Sequence, residues 1–485
     1  MYEKLKALSA ENVLPMHMPG HKRNLREFPW LGETGGAFDA TETEGLDDLH
    51  APAGAIARIL GRAEKLWGSR RTFLSVNGST GGIFAVLAAC GNGGVLAARN
   101  CHRSVFNAAS YLGLRTEYVI PPTVGEYGFF GSVGAAEVGK RLDETGCKAV
   151  VVTSPTYEGV LSDTEAIAEQ AHARGAVLIL DAAHGAHFGL SDAFSGNSGA
   201  DVVVTSLHKT LPSLTQTALV HVMSDRVDVA AVSAAMSAFV TSSPSYILMA
   251  GVEKMLDYLE QKGAERLDML ARELAFFRER TRGFGRLRVF DGEREKFAEV
   301  FKTDPSKMYI DCKNCSFGGF ELKRRLRAEF GTELESAAPY GALAYVTAGD
   351  DADSLARLFS ALAAFDNEEV ARAEGRGKNG VGRDLPVGAK GCGTWTPGAK
   401  AAEMREALRS PSEIVSLRGA VGRVSADSLW AYPPGVPVIL PGERIEENCV
   451  RYAESVRLAG GETVAAYGGR EGYIRVALSA DAPFS

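Results

Sequence analysis

Ala176-Val-Leu-Ile-Leu-Asp181 and Asp201-Val-Val-Val-Thr-Ser206-Leu-His-Lys209 decide how this chain folds. Each is a short, continuous run of Val, Ile and Leu that ends in polar residues. Runs of this kind, separated by helical stretches, belong to a parallel sheet covered by helices on both faces. Working outward, Lys148-Ala-Val-Val-Val-Thr153 reads as another such strand, and a helix is expected from Asp163 to about Arg174, stopped by Gly175. Arg71-Thr-Phe-Leu-Ser-Val76 reads as a further strand. It leads through Asn77-Gly-Ser-Thr-Gly-Gly82 into an apolar helical segment, Ile83 to Ala89. Asn77, Ser154, Asp181 and Ser206 thus fall at strand ends, the edge where open α/β sheets bind ligands.

A chain of 485 residues has room for two or three cores. An arm is expected over 1–45 and a large domain over 46–258, left through the helical pattern that follows Pro244. Residues 259–370 alternate strand signals, such as Lys307-Met-Tyr-Ile-Asp311 and Leu343-Ala-Tyr-Val-Thr347, with helical ones, and suit a smaller α+β domain. Glycine and charge dominate 371–398, which reads as a linker, before a C-terminal domain over 399–485.

Composition excludes several function classes. A net charge of −7 gives no reason to expect a nucleic-acid partner. No apolar run approaches the ~20 residues that cross a bilayer, and Met1-Tyr-Glu-Lys-Leu-Lys lacks the apolar core of a secretory signal. Seven cysteines without a framework spacing suit a reducing compartment, the cytoplasm. Cys312-Lys-Asn-Cys315 has no second pair and reads as two incidental thiols, with a redox role as the alternative. No metal site is expected, because His184 and His187 lack a third ligand at suitable spacing.

The chemistry lies in Lys209 and Asp181. A lone lysine after a strand would be an ordinary surface residue. A desolvated one is nucleophilic and condenses with an aldehyde. Asp181 alone would serve equally as a helix N-cap. The two stand 209 − 181 = 28 positions apart, after successive strands, so a crossover brings them to one crevice. A buried carboxylate facing a covalently held pyridine ring keeps the ring nitrogen protonated, which makes pyridoxal 5′-phosphate an electron sink. Lys209 and Asp181 are therefore the expected Schiff-base lysine and pyridinium partner. Asn77–Gly82, opening a helix, offers an anion site through backbone N–H groups and the Ser79 and Thr80 hydroxyls. Ser206 and His208 would complete that phosphate cup. His102 would stack on the ring, His184 would face cofactor or substrate as a third catalytic residue, and His187 would pack nearby.

Together these pieces resemble the ornithine/lysine/arginine decarboxylases, a family of fold type I pyridoxal-phosphate enzymes, in its short bacterial form. The likeness is carried by Met18-Pro-Gly-His-Lys-Arg23, Gly45-Leu-Asp-Asp-Leu-His-Ala-Pro-Ala-Gly54, Val76-Asn-Gly-Ser-Thr80, Asn100-Cys-His-Arg-Ser104, Ser154-Pro-Thr-Tyr-Glu-Gly159, Asp181-Ala-Ala-His-Gly-Ala-His187 and Ser206-Leu-His-Lys209. Tyr432-Pro-Pro-Gly-Val-Pro437 and Leu440-Pro-Gly-Glu-Arg444 extend it to the C-terminal domain. The resemblance implies the same roles for Lys209, Asp181, Ser79, Thr80, Ser206, His208 and His102. It also implies a homodimer with shared active sites, in which the arm bearing His21 and Lys22 reaches substrate or clasps the dimer. The run Asp47-Asp48-Leu-His50 is either structural or lines the entrance. The chain starts at the arm without the wing domain of longer members, so ring-shaped assemblies are not expected. Gly391-Cys-Gly-Thr-Trp395 corresponds to nothing in the family pattern.

The implied reaction is decarboxylation of a basic L-amino acid, arginine or lysine ahead of ornithine, to the amine and CO2. The rival is an aminotransferase or carbon–carbon lyase of the same fold, in which Arg475 would grip an α-carboxylate. A third class is a cofactor-binding regulator without turnover, against which the intact Lys209–Asp181–phosphate set argues.

Overall fold

The computed structural model describes residues 1–10, 18–19, 21–43, 46–125, 127–292, 297–375, 395–432, 435–467 and 470–478. Its main sheet has seven strands: β1 (Arg71–Ser75), β2 (Val95–Ala98), β3 (Thr116–Val119), β4 (Ala149–Thr153), β5 (Val177–Asp181), β6 (Val202–Ser206) and β7 (Ala218–Val222). Their order across the sheet is β1-β7-β6-β5-β4-β2-β3. β3, β2, β4, β5 and β6 run parallel, and β7 pairs antiparallel with β6 and with β1. The sheet is thus mostly parallel, as the apolar runs imply. The reversal of β7, next to the edge, is allowed by the short connection 207–217, since a parallel return needs a dozen or more residues.

β4 and β6 are buried at every position, which matches their uninterrupted apolar sequence. The helix Gly78–Cys90 lies on β6 and β7. At Gly82 an added Cβ would stand 2.7 Å from Val220 Cγ2, so glycine permits this close approach. The helix after β4 runs Thr164–His172 and is capped by Asp163, whose side chain accepts from Ala166 N.

The first ten residues depart from the expected arm. Tyr2–Ala10 is helical, Met1 and Leu5 join the large-domain core, and the terminal amine meets Glu253 at 2.8 Å. Apolar residues spaced one helical turn apart give this segment a face to bury. Asp47 is structural: its carboxylate accepts from the backbone N–H groups of Ala53, Gly54, Ile56 and Ala57, where the helix Ala55–Trp67 begins.

The helix Tyr246–Tyr258 continues through a π-turn, Leu259–Gly263, into Ala264–Thr281. The domain cut expected at 258 falls on this turn. Beyond it, Arg288–Val289, Lys307–Asp311, Gly341–Tyr345 and Ser336–Ala338 form an antiparallel sheet in that order. Its core includes Leu274, Phe277, Met308, Leu322 and Leu362. Cys312 and Cys315 are free and buried there, and burial pushes both thiols up, Cys315 to about 12, so neither is a ready nucleophile.

The helix Ala352–Glu374 runs into the stretch read as a linker from 371, because Glu369 accepts from Ser316 and Arg372 pairs with Glu368. Residues 376–394, with Gly391-Cys-Gly-Thr394, lie outside the described residues. Trp395 is buried in the C-terminal core with Leu417, Ile439, Val450 and Ile474. That unit is tied to the large domain by a buried ion pair: Arg99 Nε donates to Glu443 Oε1 at 2.7 Å and Nη2 to Oε2 at 2.8 Å. Among the described residues no helix is long and apolar enough to cross a membrane.

Candidate active site

The carboxyl ends of β4, β5 and β6 converge on one crevice. Asp181 is the last residue of β5 and pairs in register with Val204 on β6, two residues before that strand ends. Its carboxylate is buried at 3 % exposure and accepts from Ala183 N at 3.2 Å. The tight turn that follows, closed by Gly185 N donating to Ala182 O, presents His184. Lys209 sits on a single helical turn, Leu207–Thr210, directly after β6. Its Nζ stands 3.0 Å from His184 Nε2.

These groups set one another's protonation. Burial lowers the pKa of Lys209, and the Asp181 charge opposes that shift. Burial raises Asp181, opposed by Lys209. Burial and the charges of Lys209 and Lys307 hold His184 well below its usual value, so it is neutral. Burial and Lys209 push His102 down to about 4. Its Nδ1 accepts from Ser104 N at the start of the helix Arg103–Leu112, so this imidazole is neutral too and carries its proton on Nε2. From the C-terminal unit Gly435 closes over it, with φ +79 and an ideal Cβ position 3.5 Å from His102 Nε2.

The small domain completes the site with residues that sequence reading gave no role. Tyr345 Oη lies 2.9 Å from His184 Nδ1 and 3.0 Å from the Tyr157 carbonyl. A carbonyl only accepts, so the single hydroxyl proton goes to Tyr157. Tyr345 oxygen must then accept from His184 Nδ1–H, which leaves Nε2 as the acceptor facing Lys209. Tyr157 also packs its ring on His184 at 5.2 Å and donates its hydroxyl to the exposed carboxylate of Glu335. Behind them Lys307 Nζ lies 4.5 Å from the centre of the Tyr345 ring and 3.2 Å from buried Asp304, which also faces His187 Nε2 at 3.3 Å. His187 therefore packs near the site without reaching Lys209. Tyr157 lay within the Ser154–Gly159 motif, whereas Tyr345, Lys307 and Glu335 carried no motif of their own.

Ser75 pairs with Ala218 and Ala218 with Ser206, which brings the helix start bearing Ser79 and Thr80 to the sheet edge of Ser206 and His208. Asn77 does not cap that helix, because its side chain instead accepts from Thr241 N. Gly78 N already donates to Gln216 O, which leaves the next amides, those of Ser79 and Thr80, to an anion. His208 Nδ1 donates to Thr217 O at 3.2 Å. A pyridoxal phosphate fits this donor set: a buried carboxylate for a ring N–H, a lysine of lowered proton affinity, a neutral imidazole and an uncapped helix end. Arg475 lies in the C-terminal sheet, where it donates to Ser412 Oγ and the Tyr467 carbonyl.

Comparison with known proteins identifies the family. The family described as Orn/Lys/Arg decarboxylase, major domain, matches residues 1–311, and its C-terminal domain matches 396–462. The chain is 30% identical over 469 residues to the arginine decarboxylase of Bacillus subtilis, covering 93% of this chain and 92% of that protein. It is 24% identical to the lysine decarboxylase LdcA of Pseudomonas aeruginosa, over 90% of this chain and 73% of that one. The crystal structure of the Francisella novicida lysine decarboxylase LdcF shares the fold, with a TM-score of 0.80 at 18% identity over 98% of this chain and 80% of the other.

Proposed function

The chain belongs to the Orn/Lys/Arg decarboxylase family, and from that membership we propose that it decarboxylates a basic L-amino acid, arginine or lysine before ornithine, with pyridoxal 5′-phosphate held at Lys209. Amino-acid decarboxylation itself follows from the family and its full-length relatives. The single observation that carries the finer reading is the Lys209–His184 contact beside buried Asp181.

When bound, the cofactor supplies an electron sink for the pair left as the carboxylate departs. The protein does the rest. Asp181 would hold negative charge against the ring nitrogen, in a place where burial strengthens that interaction. Ser79, Thr80, Ser206 and His208 would hold the phosphate, and neutral His102 would lie against the ring. Lys209, oriented by His184 Nε2, is placed to return a proton to Cα once substrate has displaced it.

Glu335 is our candidate for the substrate's distal cation. It is exposed, is oriented by the Tyr157 hydroxyl, and its charge is felt at Lys209. The Bacillus subtilis relative is an arginine decarboxylase, which favours arginine. We also propose a cytoplasmic homodimer with shared active sites. Met18, Leu25, Phe28 and Trp30 are exposed at 64%, 43%, 37% and 56%, an apolar surface on the arm that a second copy would cover.

The test measures CO2, amine and keto acid from arginine, lysine and ornithine side by side. Amine and CO2 in equal amounts support the reading, and keto-acid formation supports the aminotransferase. Lys209→Ala should lose both turnover and the visible absorbance of bound cofactor. Retained turnover would overturn the assignment.

A further inference from the structure

A second cavity lies where the large, small and C-terminal units meet. Phe129, Phe130, Tyr309, Phe320 and Trp395 line it, and one carboxylate, Glu158, faces it. Neither Lys209, His184, His102 nor Asp181 contributes to its wall. Glu158 is half-buried in this wall; burial raises its pKa, opposed by the Thr156 side chain and its own backbone, with no cation among the groups acting on it. A partly desolvated carboxylate with no cation paired to it among the described residues favours a cationic ligand. Aromatic faces around it supply the quadrupoles that attract an organic cation, while their edges take up an apolar stem. Trp395 already carries one cation in this way, with the Arg99 guanidinium 5.0 Å from its ring.

We propose that this cavity is a second binding site, for an amine or guanidine on an apolar stem, with Glu158 as the counter-charge. The adjoining Tyr157 lines the same cavity and packs on His184, so occupancy is coupled to the active site through one side chain. Resting on the function proposed above, the amine product has this chemistry, and the site would report its accumulation.

The test is calorimetric titration of the full chain with agmatine, and with butylurea, an uncharged analogue that keeps the apolar stem and a urea head in place of the guanidine. Agmatine should bind the wild-type protein and Lys209→Ala with the same Kd, and Glu335→Gln should leave that binding unchanged. Glu158→Gln should raise Kd at least about tenfold, Glu158→Asp less, and butylurea should not bind. Unchanged binding in Glu158→Gln, or dependence on Lys209, overturns the proposal. Should Glu158→Gln not fold, equal affinity of wild type for agmatine and butylurea overturns it alone. CO2 release is followed in parallel. Glu158-dependent binding without decarboxylation fells the function and leaves the site standing, and the reverse outcome fells only the site.

Discussion

Lys209 Nζ stands 3.0 Å from His184 Nε2, and the histidine tautomer that receives it is set by Tyr345 from a different domain. Tyr345→Phe removes the acceptor for His184 Nδ1–H and releases that constraint. The expected result is a fall in kcat of about 10²-fold, the lower range for a positioned proton-transfer group, with KM little changed and a displaced pH profile. A variant with both wild-type kcat and wild-type profile would show that the tautomer is immaterial.

Asp181→Asn keeps the shape of the strand end and removes its charge. Because the Asp181 charge raises the proton affinity of Lys209, its loss should lower the lysine pKa further. Turnover should drop by about 10²- to 10³-fold, as for removal of one preorganised electrostatic partner. The pH dependence of cofactor uptake by the apoenzyme and steady-state rates check the two effects.

Glu335→Gln should raise KM for arginine and lysine about tenfold, with kcat within about twofold, because a contact shared by ground and transition states is lost. An uncharged amino acid of similar length should be unaffected. Equal effects on charged and neutral substrates would remove Glu335 from substrate recognition.

His221 is buried against Trp67, with burial alone pushing its pKa down to about 3. The unfolded chain binds its proton near 6.5 and the folded chain does not, so this contribution to stability is intact above 6.5 and lost as pH falls toward 3. Between pH 6.5 and 5 the loss should be about 2 kcal/mol. His221→Gln should flatten that slope in denaturant titrations, and an unchanged slope would assign the acid sensitivity elsewhere.

Arg99 and Glu443 join the large and C-terminal units at 0 % and 2 % side-chain exposure. Glu443→Gln leaves the guanidinium buried without its counter-charge and should cost about 3–5 kcal/mol. Disrupting Arg62–Glu260 on the surface should cost less than about 1 kcal/mol. Denaturation curves of the two variants give the comparison.

The strands around Asp181 and Lys209, and the crevice they share, were legible in the sequence because a doubly covered parallel strand must be apolar at every position and its polar residues mark its end. Asp181, Lys209, His102 and His184 announced themselves by that placement. Local pattern also placed a helix from about Asp163 to Arg174, which the structure shows over Thr164–His172 with Asp163 as its cap. Tyr345, Glu335 and Lys307 did not show, since each sits in an ordinary small-domain segment far along the chain. Their positions at the site arise only when that domain meets the segments after β4 and β5, at Tyr157 and His184. The proton on His184 Nδ1 and the cavity at Glu158 belong to the tertiary structure for the same reason: both depend on which atoms from separate units come within a few ångströms, and no spacing along the chain encodes that distance.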